Sequence, residues 1–297
     1  VEGRGKLDIV LKADNKILNE VVVVGYGVQK KSVVTAAISS VKEDMLDKVA
    51  PTRIDNVLQG MVSGVNITSA SGQPGDGSQV RIRGIGTIND RNPLYIVDGM
   101  PIEGGINYLN PADISSVEVL KDAASAAIYG ARGANGVILV TTKKGSEGKI
   151  TLTYNGSVGW QNPWHKVDVL NAKEYAVLMN EMSLNDGGGI LYQNPSSYGE
   201  GTNWQDEVFN KNAKVVSHQI SASGGSNKGS YYLSFGYYYQ EGIVGGNVNR
   251  SNYERYSVKA NDDYTILDAP ERKLLRRFRI GTNLSYSRIE SKAISTS

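Results

Sequence analysis

The chain has 297 residues, of which 40% are hydrophobic and 21% charged, and its formal net charge is +2. This composition suits a folded protein and argues against extensive disorder, and the near-neutral charge points to no nucleic-acid partner. Because the chain contains no cysteine, disulfide frameworks, thiolate metal sites and cysteine nucleophiles are excluded.

Apolar runs are all too short for a membrane-spanning helix, whereas membrane strands alternate and would average out as polar. The abundance of glycine (34) and tyrosine (17) over phenylalanine (3) favours a turn-rich β protein. The chain opens with Val1 and no leader-like segment. We therefore expect its numbering to begin inside a longer or processed polypeptide.

The segment 18–27 is a β-branched run between polar residues and glycines. Such a strand, with no evident partner nearby, is suited to pairing with the edge of another protein. An ordinary first strand of the following domain is the alternative, and the residues alone leave both open.

Short strands alternate with short helices over the first 146 residues. Strands are predicted at 32–41, 65–68, 79–83, 94–97, 117–120 and 137–142, and helices at 53–61 and 122–129. Asn110 before Pro111 is typical of a helix start, and Asp98-Gly99 of a turn. The pattern predicts a small α+β domain with a mixed sheet.

From about residue 147 the hydrophobic period is two. Long strands are predicted at 150–161, 214–223, 230–240, 253–266 and 274–288, each long enough to cross a bilayer when tilted. Their connections alternate between long, as at 162–213, and short, as at 224–227. That alternation is typical of a membrane barrel, although a soluble sandwich or lectin also alternates. About five strands cannot close a barrel, so either most of it lies outside this chain or the barrel interpretation is wrong.

Candidate chemistry is sparse. The two histidines, His165 and His218, lie far apart with no acidic cluster around them, which argues against a metal site or a catalytic triad. Asp98 and Asp122 occupy turn and cap positions, where aspartate is expected anyway. We therefore expect no enzyme activity, no cofactor and no metal.

Two arginines, Arg81 and Arg83, share one face of a predicted strand. Inside a surrounding wall they could pair with carboxylates, and otherwise they form a solvated face. Trp160 fits an aromatic girdle at a membrane interface, while Tyr192 and Trp204 in the long loop are candidate ligand contacts.

Four motifs together resemble one family. They are LNEVVVVGYG at 18–27, SGQPGDGSQVRIRG at 71–84, PLYIVDGMPI at 93–102 and VEVLKDAASAAIYGARGANGVILVTTKKG at 117–145. In this order they are similar to the SusC-type branch of the TonB-dependent outer-membrane transporters. The resemblance covers roughly Leu18 to Gly159, and the later strands match it only in style.

The resemblance implies an α+β plug domain inside an antiparallel transmembrane β-barrel of about 22 strands in the bacterial outer membrane. It also implies coupling to TonB, a SusD-like surface lipoprotein, and import of oligosaccharides or peptides. A siderophore or cobalamin receptor is the alternative within the same architecture, and a soluble carbohydrate-binding protein is a third possibility.

The resemblance also divides the chain. Residues 1–17 correspond to the tail of an N-terminal extension domain, 18–31 to the Ton box and linker, 32–146 to the plug, and 147–297 to the first barrel strands with an external loop at 162–213. The implied Ton box consists of Leu18, Asn19, Glu20, Val21, Val22, Val23 and Val24.

Outward loops of the implied plug, at 87–92 and 104–107, are polar and follow buried strands, which suits substrate binding. The candidate ligand contacts are therefore Thr87, Asn89, Asp90, Arg91, Asn107, Tyr192 and Trp204.

Overall fold

A computed structural model describes most of the chain. The described residues are 21–24, 27–30, 38–46, 54, 58–69, 71–84, 91–246, 251–269, 271, 274 and 276–294. The predicted extension domain at 1–17 and Leu18, Asn19 and Glu20 of the implied Ton box lie outside them.

The first described element is a hairpin. Strand β1 (Val21–Val24) pairs antiparallel with β2 (Gly27–Lys30), with Val21 opposite Lys30 and Val24 opposite Gly27. The expectation that this run has no neighbouring partner was therefore wrong, because β2 pairs with it.

A mixed sheet follows the hairpin. Its strands are β3 (Ile38–Lys42), β6 (Leu94–Val97), β7 (Met100–Ile102), β8 (Ile114–Leu120) and β9 (Val137–Thr142), in the order β3-β8-β9-β6-β7. Strands β6 and β9 are parallel and the other pairs antiparallel. Strands β4 (Val65–Ser69) and β5 (Ser78–Ile82) form a separate hairpin. The helical pieces are short: α1 (Glu43–Leu46), α2 (Ala123–Ala126), and 3-10 segments at Pro111–Asp113 and Ala127–Gly133.

Both faces of the mixed sheet are buried. Alternate residues of β9 enter opposite clusters, Ile138 with Val117 on one face and Leu139 with Leu120 on the other. A strand covered on both faces reads as a continuous apolar run, which is why β9 was predicted at its observed bounds. Of the predicted helix at 53–61, Ile54 and Leu58 are buried in the first cluster, while 55–57 lie outside the described residues.

The second half forms a five-stranded antiparallel sheet in chain order. Its strands are β10 (Gly148–Gln161), β11 (Ala213–Ser226), β12 (Gly229–Glu241), β13 (Asn252–Asp268) and β14 (Arg277–Lys292). The predicted period of two and the five strands are confirmed. The turn expected at 224–227 is displaced, because Gly224 to Ser226 still pair in β11. The end of this sheet with the 227–228 turn is called the short-turn end, and the opposite end, with connections 162–212 and 242–251, the long-loop end.

One face of this sheet carries an exposed apolar band that crosses the strands obliquely. On β10 the band reaches Trp160, and on β14 it stops at Tyr286, before Arg288. Tyr286 shares a row with Tyr154, through the successive pairings of the five strands. The edge of the apolar band therefore shifts by six residues between β10 and β14, which is about 20 Å along the strands. The four strand spacings between β10 and β14 amount to about 19 Å across the sheet. This corresponds to a strand tilt of about 45°, as in membrane barrels.

The 162–212 connection is more ordered than a loop. It contains helix α3 (Ala172–Asn185), a 3-10 turn at Pro195–Tyr198 and helix α4 (Trp204–Val208). Asn171 and Glu174 form a capping box at the start of α3, with both reciprocal hydrogen bonds present. Among the described residues, no helix is long and apolar enough to span a membrane.

Candidate functional site

The N-terminal unit packs against the inner face of the long-strand sheet, and strand β13 supplies much of that contact. Every second residue of β13 is buried there: Tyr253, Arg255, Ser257, Lys259 and Asn261. Successive side chains of a strand lie on opposite faces of the sheet, so polar residues at every second position all face the same surface. The boundary between the two units is therefore polar, in contrast to the outer band.

Asp98 is a hydrogen-bonding centre near the short-turn end. It follows β6 in a tight turn with a φ of 49°, and its carboxylate accepts from the backbone N–H and hydroxyl of Thr142 at 2.8 and 2.6 Å. From the long-strand sheet it accepts from Lys259 Nζ at 3.2 Å and Asn283 Nδ2 at 2.7 Å. One side chain thus ties the end of the mixed sheet to two long strands.

The environment of Asp98 favours its charged form. Burial by itself would raise the pKa of this carboxyl, but hydrogen bonds from Thr142 and Asn283 and the charge of Lys259 outweigh burial, and the pKa lies below its ordinary value. Asn261 adds to the same corner by donating to Thr142 Oγ1 at 3.1 Å and to the Lys143 carbonyl at 2.7 Å.

Asp113 makes a second contact, with neutral partners. Its Oδ1 atom accepts both from Gln219 Nε2 at 2.7 Å and from the Tyr232 hydroxyl at 2.9 Å. Burial raises the pKa of the Asp113 carboxyl above its ordinary value, and the hydrogen bond from Tyr232 offsets this only in part. The two aspartates at this boundary therefore differ: the surroundings of Asp98 favour its charged form, whereas those of Asp113 disfavour it.

The Arg255 side chain binds the backbone of a loop in the N-terminal unit. Its Nη1 atom donates to the carbonyls of Asn107 at 3.2 Å and Leu109 at 3.0 Å, and its guanidinium lies 5.6 Å from the Tyr238 ring centroid. Nearer the long-loop end, the Gln73 amide donates to the Ile294 carbonyl and accepts from the Ile294 N–H, at 3.0 and 2.9 Å. The contacts thus run the full height of the boundary.

Arg81 and Arg83 were expected either to pair with carboxylates of a surrounding wall or to form a solvated face. The Arg81 guanidinium donates to Gln79 of its own strand at 2.9 Å. In the ion pair between Lys259 and Asp98, the cation belongs to the long-strand sheet and the carboxylate to the N-terminal unit.

A polar cleft of about 730 Å³ lies on the N-terminal unit. Its lining includes Asn92, Glu103, Asn107, Arg132 and Asn135, and Arg132 and Glu103 pair across it at 3.1 Å. Asn107 is the one candidate ligand contact among the described lining residues. The cleft is thus backed by Arg255, which binds the main chain of the same loop.

The remaining candidate contacts are placed elsewhere or not described. Thr87, Asn89 and Asp90 lie outside the described residues, and Arg91 is exposed but does not line the cleft. Tyr192 and Trp204 belong to the 162–212 connection. The Tyr192 ring packs edge-on against Tyr175 and Tyr198, with centroids 6.4 and 5.7 Å apart. Trp204 begins helix α4 and is 73% exposed.

Comparisons with known proteins fit this architecture. A family model, the TonB-dependent Receptor Plug Domain, matches residues 30–137. The chain is 39% identical to the TonB-dependent receptor SusC of Bacteroides thetaiotaomicron over 267 residues, which is 86% of this chain and 25% of SusC. It is also 39% identical to TonB-dependent receptor P3 of Formosa agariphila over 298 residues, 100% of this chain and 27% of P3.

The chain belongs to the SusC-like TonB-dependent receptors. Among solved structures, the RagAB peptide importer in its 'open-open' state superposes with a TM-score of 0.75 and 30% identity, over 93% of this chain and 33% of that one. In this SusC-like receptor the N-terminal unit is the plug, and the five-stranded sheet is part of the barrel wall. The chain spans about a quarter of the length of the curated relatives it matches.

Sequence reasoning missed the residues that join plug and wall. A signal was present in the alternating Arg255, Ser257, Lys259 and Asn261, since basic and amide residues on one face of a strand require a polar surface opposite. What the sequence could not supply was the identity of that surface.

Proposed function

We propose that this SusC-like receptor mediates energy-coupled import of oligosaccharides or peptides across the bacterial outer membrane. The observation that carries the proposal is a folded plug bound to the inner wall by polar contacts, with an apolar band on the outer wall. A hydrogen-bonded boundary can be replaced by water step by step, so a plug held in this way can be displaced and reseated.

The energy is delivered by TonB, which acts on Leu18 to Val24 as the Ton box. Support comes from the β-branched run at Val21–Val24, which forms the first strand of a two-stranded hairpin. Main-chain pairing of a partner strand supplies a row of hydrogen bonds able to carry a pull. TonB would either add to this hairpin or replace β2 in it.

A SusD-like surface lipoprotein is the second partner, working at the long-loop end. The 162–212 connection supports this assignment, because it is ordered by α3 and presents large apolar side chains such as Trp164 and Trp204, 101% and 73% exposed. Exposed apolar surface of this kind marks contact with a partner or a ligand.

The substrate site we assign is the cleft that includes Asn107. Thr87, Asn89, Asp90, Arg91, Tyr192 and Trp204 stay candidate contacts on the sequence argument alone. Carboxamides and a bridged ion pair suit a neutral polar ligand, which fits sugars or peptide groups. RagAB, whose fold this chain shares, is a peptide importer.

The test is uptake by the full-length receptor in cells that lack the native copy. Deletion of residues 18–24 should abolish uptake while leaving the receptor in the outer membrane, and Val22→Pro should do the same by removing a strand N–H group. Val22→Ile, which keeps the strand propensity, is the matched control and should import normally.

Unchanged uptake after the deletion would show that the Ton box lies elsewhere. Rescue of growth by iron or a vitamin, and not by glycan or peptide, would favour the siderophore or cobalamin alternative. Extraction without detergent would favour a soluble carbohydrate-binding protein.

A further inference from the structure

We propose that Asp98 and Lys259 form an electrostatic latch that holds the plug closed at the short-turn end and must part before the plug can move. The inference rests on the proposed transport function and assigns its closed state to one pair of side chains. Both residues are positioning residues, because neither borders the substrate cleft.

The pair is buried and its hydrogen bonds are satisfied. The side chains of Lys259 and Asp98 are 3% and 7% exposed, and their charged atoms lie 3.2 Å apart. The Lys259 ammonium donates also to Asn283 Oδ1 at 2.7 Å and Ser285 Oγ at 2.8 Å. All three donors of the ammonium are therefore used, as a buried charge requires.

Each partner keeps polar neighbours when the two separate. Two acceptors of Lys259 are on wall strand β14, while the N–H and hydroxyl of Thr142 that bind Asp98 belong to the plug. Separation therefore removes the contact between the charges and the hydrogen bond from Asn283 Nδ2 to Asp98, while each charged group keeps two hydrogen-bond partners on its own side. A pair built in this way can open and reform.

Water has a route to the pair. A cavity of about 490 Å³ at the short-turn end is bordered by Asp98 and Asn283, and by charged side chains that include Glu147, Lys228 and Arg279. Solvent in this cavity can hydrate Asp98 as it leaves Lys259, which lowers the cost of separating buried charges.

The plug side of the latch is braced. The Asp98 N–H donates to the Val140 carbonyl at 2.9 Å, so the turn is tied to central strand β9. Thr142, at the end of the same strand, holds the carboxylate. Movement of the mixed sheet therefore carries Asp98 with it, and the break falls between plug and wall.

The experiment measures leak through the full-length receptor in outer membranes of cells lacking TonB, using a glycopeptide antibiotic too large for an intact membrane. Lys259→Met and Asp98→Asn should each raise the influx of the antibiotic about tenfold. A tenfold rise corresponds to a modest loss in the stability of the closed state.

Arg277→Met is the matched control, since it removes an ion pair with Asp268 of 2.9 Å whose side chains are 54% and 50% exposed. Influx in the two single variants equal to that of this control, with equal receptor in the membrane, would overturn the proposal.

A second measurement does not depend on weakening the fold. Residues 1–297 contain no cysteine. In a full-length receptor whose cysteines outside this range are replaced by serine, Asp98→Cys with Lys259→Cys can be joined by a short thiol crosslinker. The joined receptor should stop importing and should recover on reduction, and normal import while crosslinked would refute the latch. The leak assay is done without TonB and does not depend on import. Its result therefore tests the latch even if the uptake experiment contradicts the proposed transport function.

Discussion

Replacing Asp113 should separate the cost of its charge from the value of its hydrogen bonds. Both wall donors, Gln219 Nε2 and the Tyr232 hydroxyl, bind the same oxygen, Oδ1. An asparagine can keep both bonds on its one oxygen and carries no charge, so Asp113→Asn should stabilise the seated plug at neutral pH. Asp113→Leu leaves two buried donors unpaired, at about 1–3 kcal/mol each, or about 2–6 kcal/mol in all.

The gain from Asp113→Asn should depend on pH. Because burial raises the pKa of Asp113 in the folded state, the folded protein binds more protons than the unfolded one between the two pKa values. Stability from this group therefore falls as the pH rises through that window, and the penalty is complete above the folded pKa. Lys143 and Lys259, the nearby cations, reduce the penalty without removing it.

Hydrogen exchange of the β8 peptide in the purified full-length receptor measures both effects, with each variant compared to the wild type at the same pH. A cost of about 2 kcal/mol corresponds to roughly 30-fold faster exchange in Asp113→Leu. The reasoning would be refuted if Asp113→Asn exchanged faster than the wild type at neutral pH, or if Asp113→Leu exchanged at the same rate.

Three further predictions concern packing, capping and acid stability. Gly145→Ala places a Cβ against the backbone of Tyr231. This overpacking should cost about 1–3 kcal/mol of folding stability and lower the thermal unfolding temperature. Gly159→Ala, which has open space around it, should leave that temperature unchanged. Asn171→Ala removes the side-chain cap of α3 and should cost that helix about 1 kcal/mol, seen as faster exchange confined to 172–185. The pKa of Asp98 is lowered in the folded state. Its contribution to stability is therefore present above the ordinary carboxyl pKa and is lost as the pH falls through the lowered value. In an acid titration of protein stability, the Asp98→Asn variant should lack this loss.

Local pattern was enough to predict most of the strands. Strand β9 is apolar at successive positions because both sheet faces are covered, and β10 to β14 alternate because one face is apolar and the other polar. These signals depend only on residues close in sequence. Helix α3 was within reach too, since Asn171 and Glu174 have the capping-box spacing, but its weakly segregated apolar residues gave no clear helical face.

Contacts between plug and wall were beyond local pattern. Asp98 was interpreted as a turn residue, which is correct for its backbone, but its side chain meets Lys259 across 161 positions of sequence. A polar residue on an inward strand face looks the same whether it meets water or a plug. The distinction depends on tertiary packing, which local patterns in a single sequence do not reveal.

The separation in sequence between plug and wall partners has a consequence for how the protein is made. Asp98 and Asn283 are 185 positions apart, and Gln73 and Ile294 are 221, whereas most strand pairs join neighbours along the chain. The plug sheet is therefore synthesised well before β13 and β14 exist, and contacts of such high order form slowly. A plug that folds before the wall strands assemble around it has its wall-facing surface in water. Carboxylates such as Asp98 and Asp113 at that surface keep the waiting domain soluble, where an apolar face would favour aggregation.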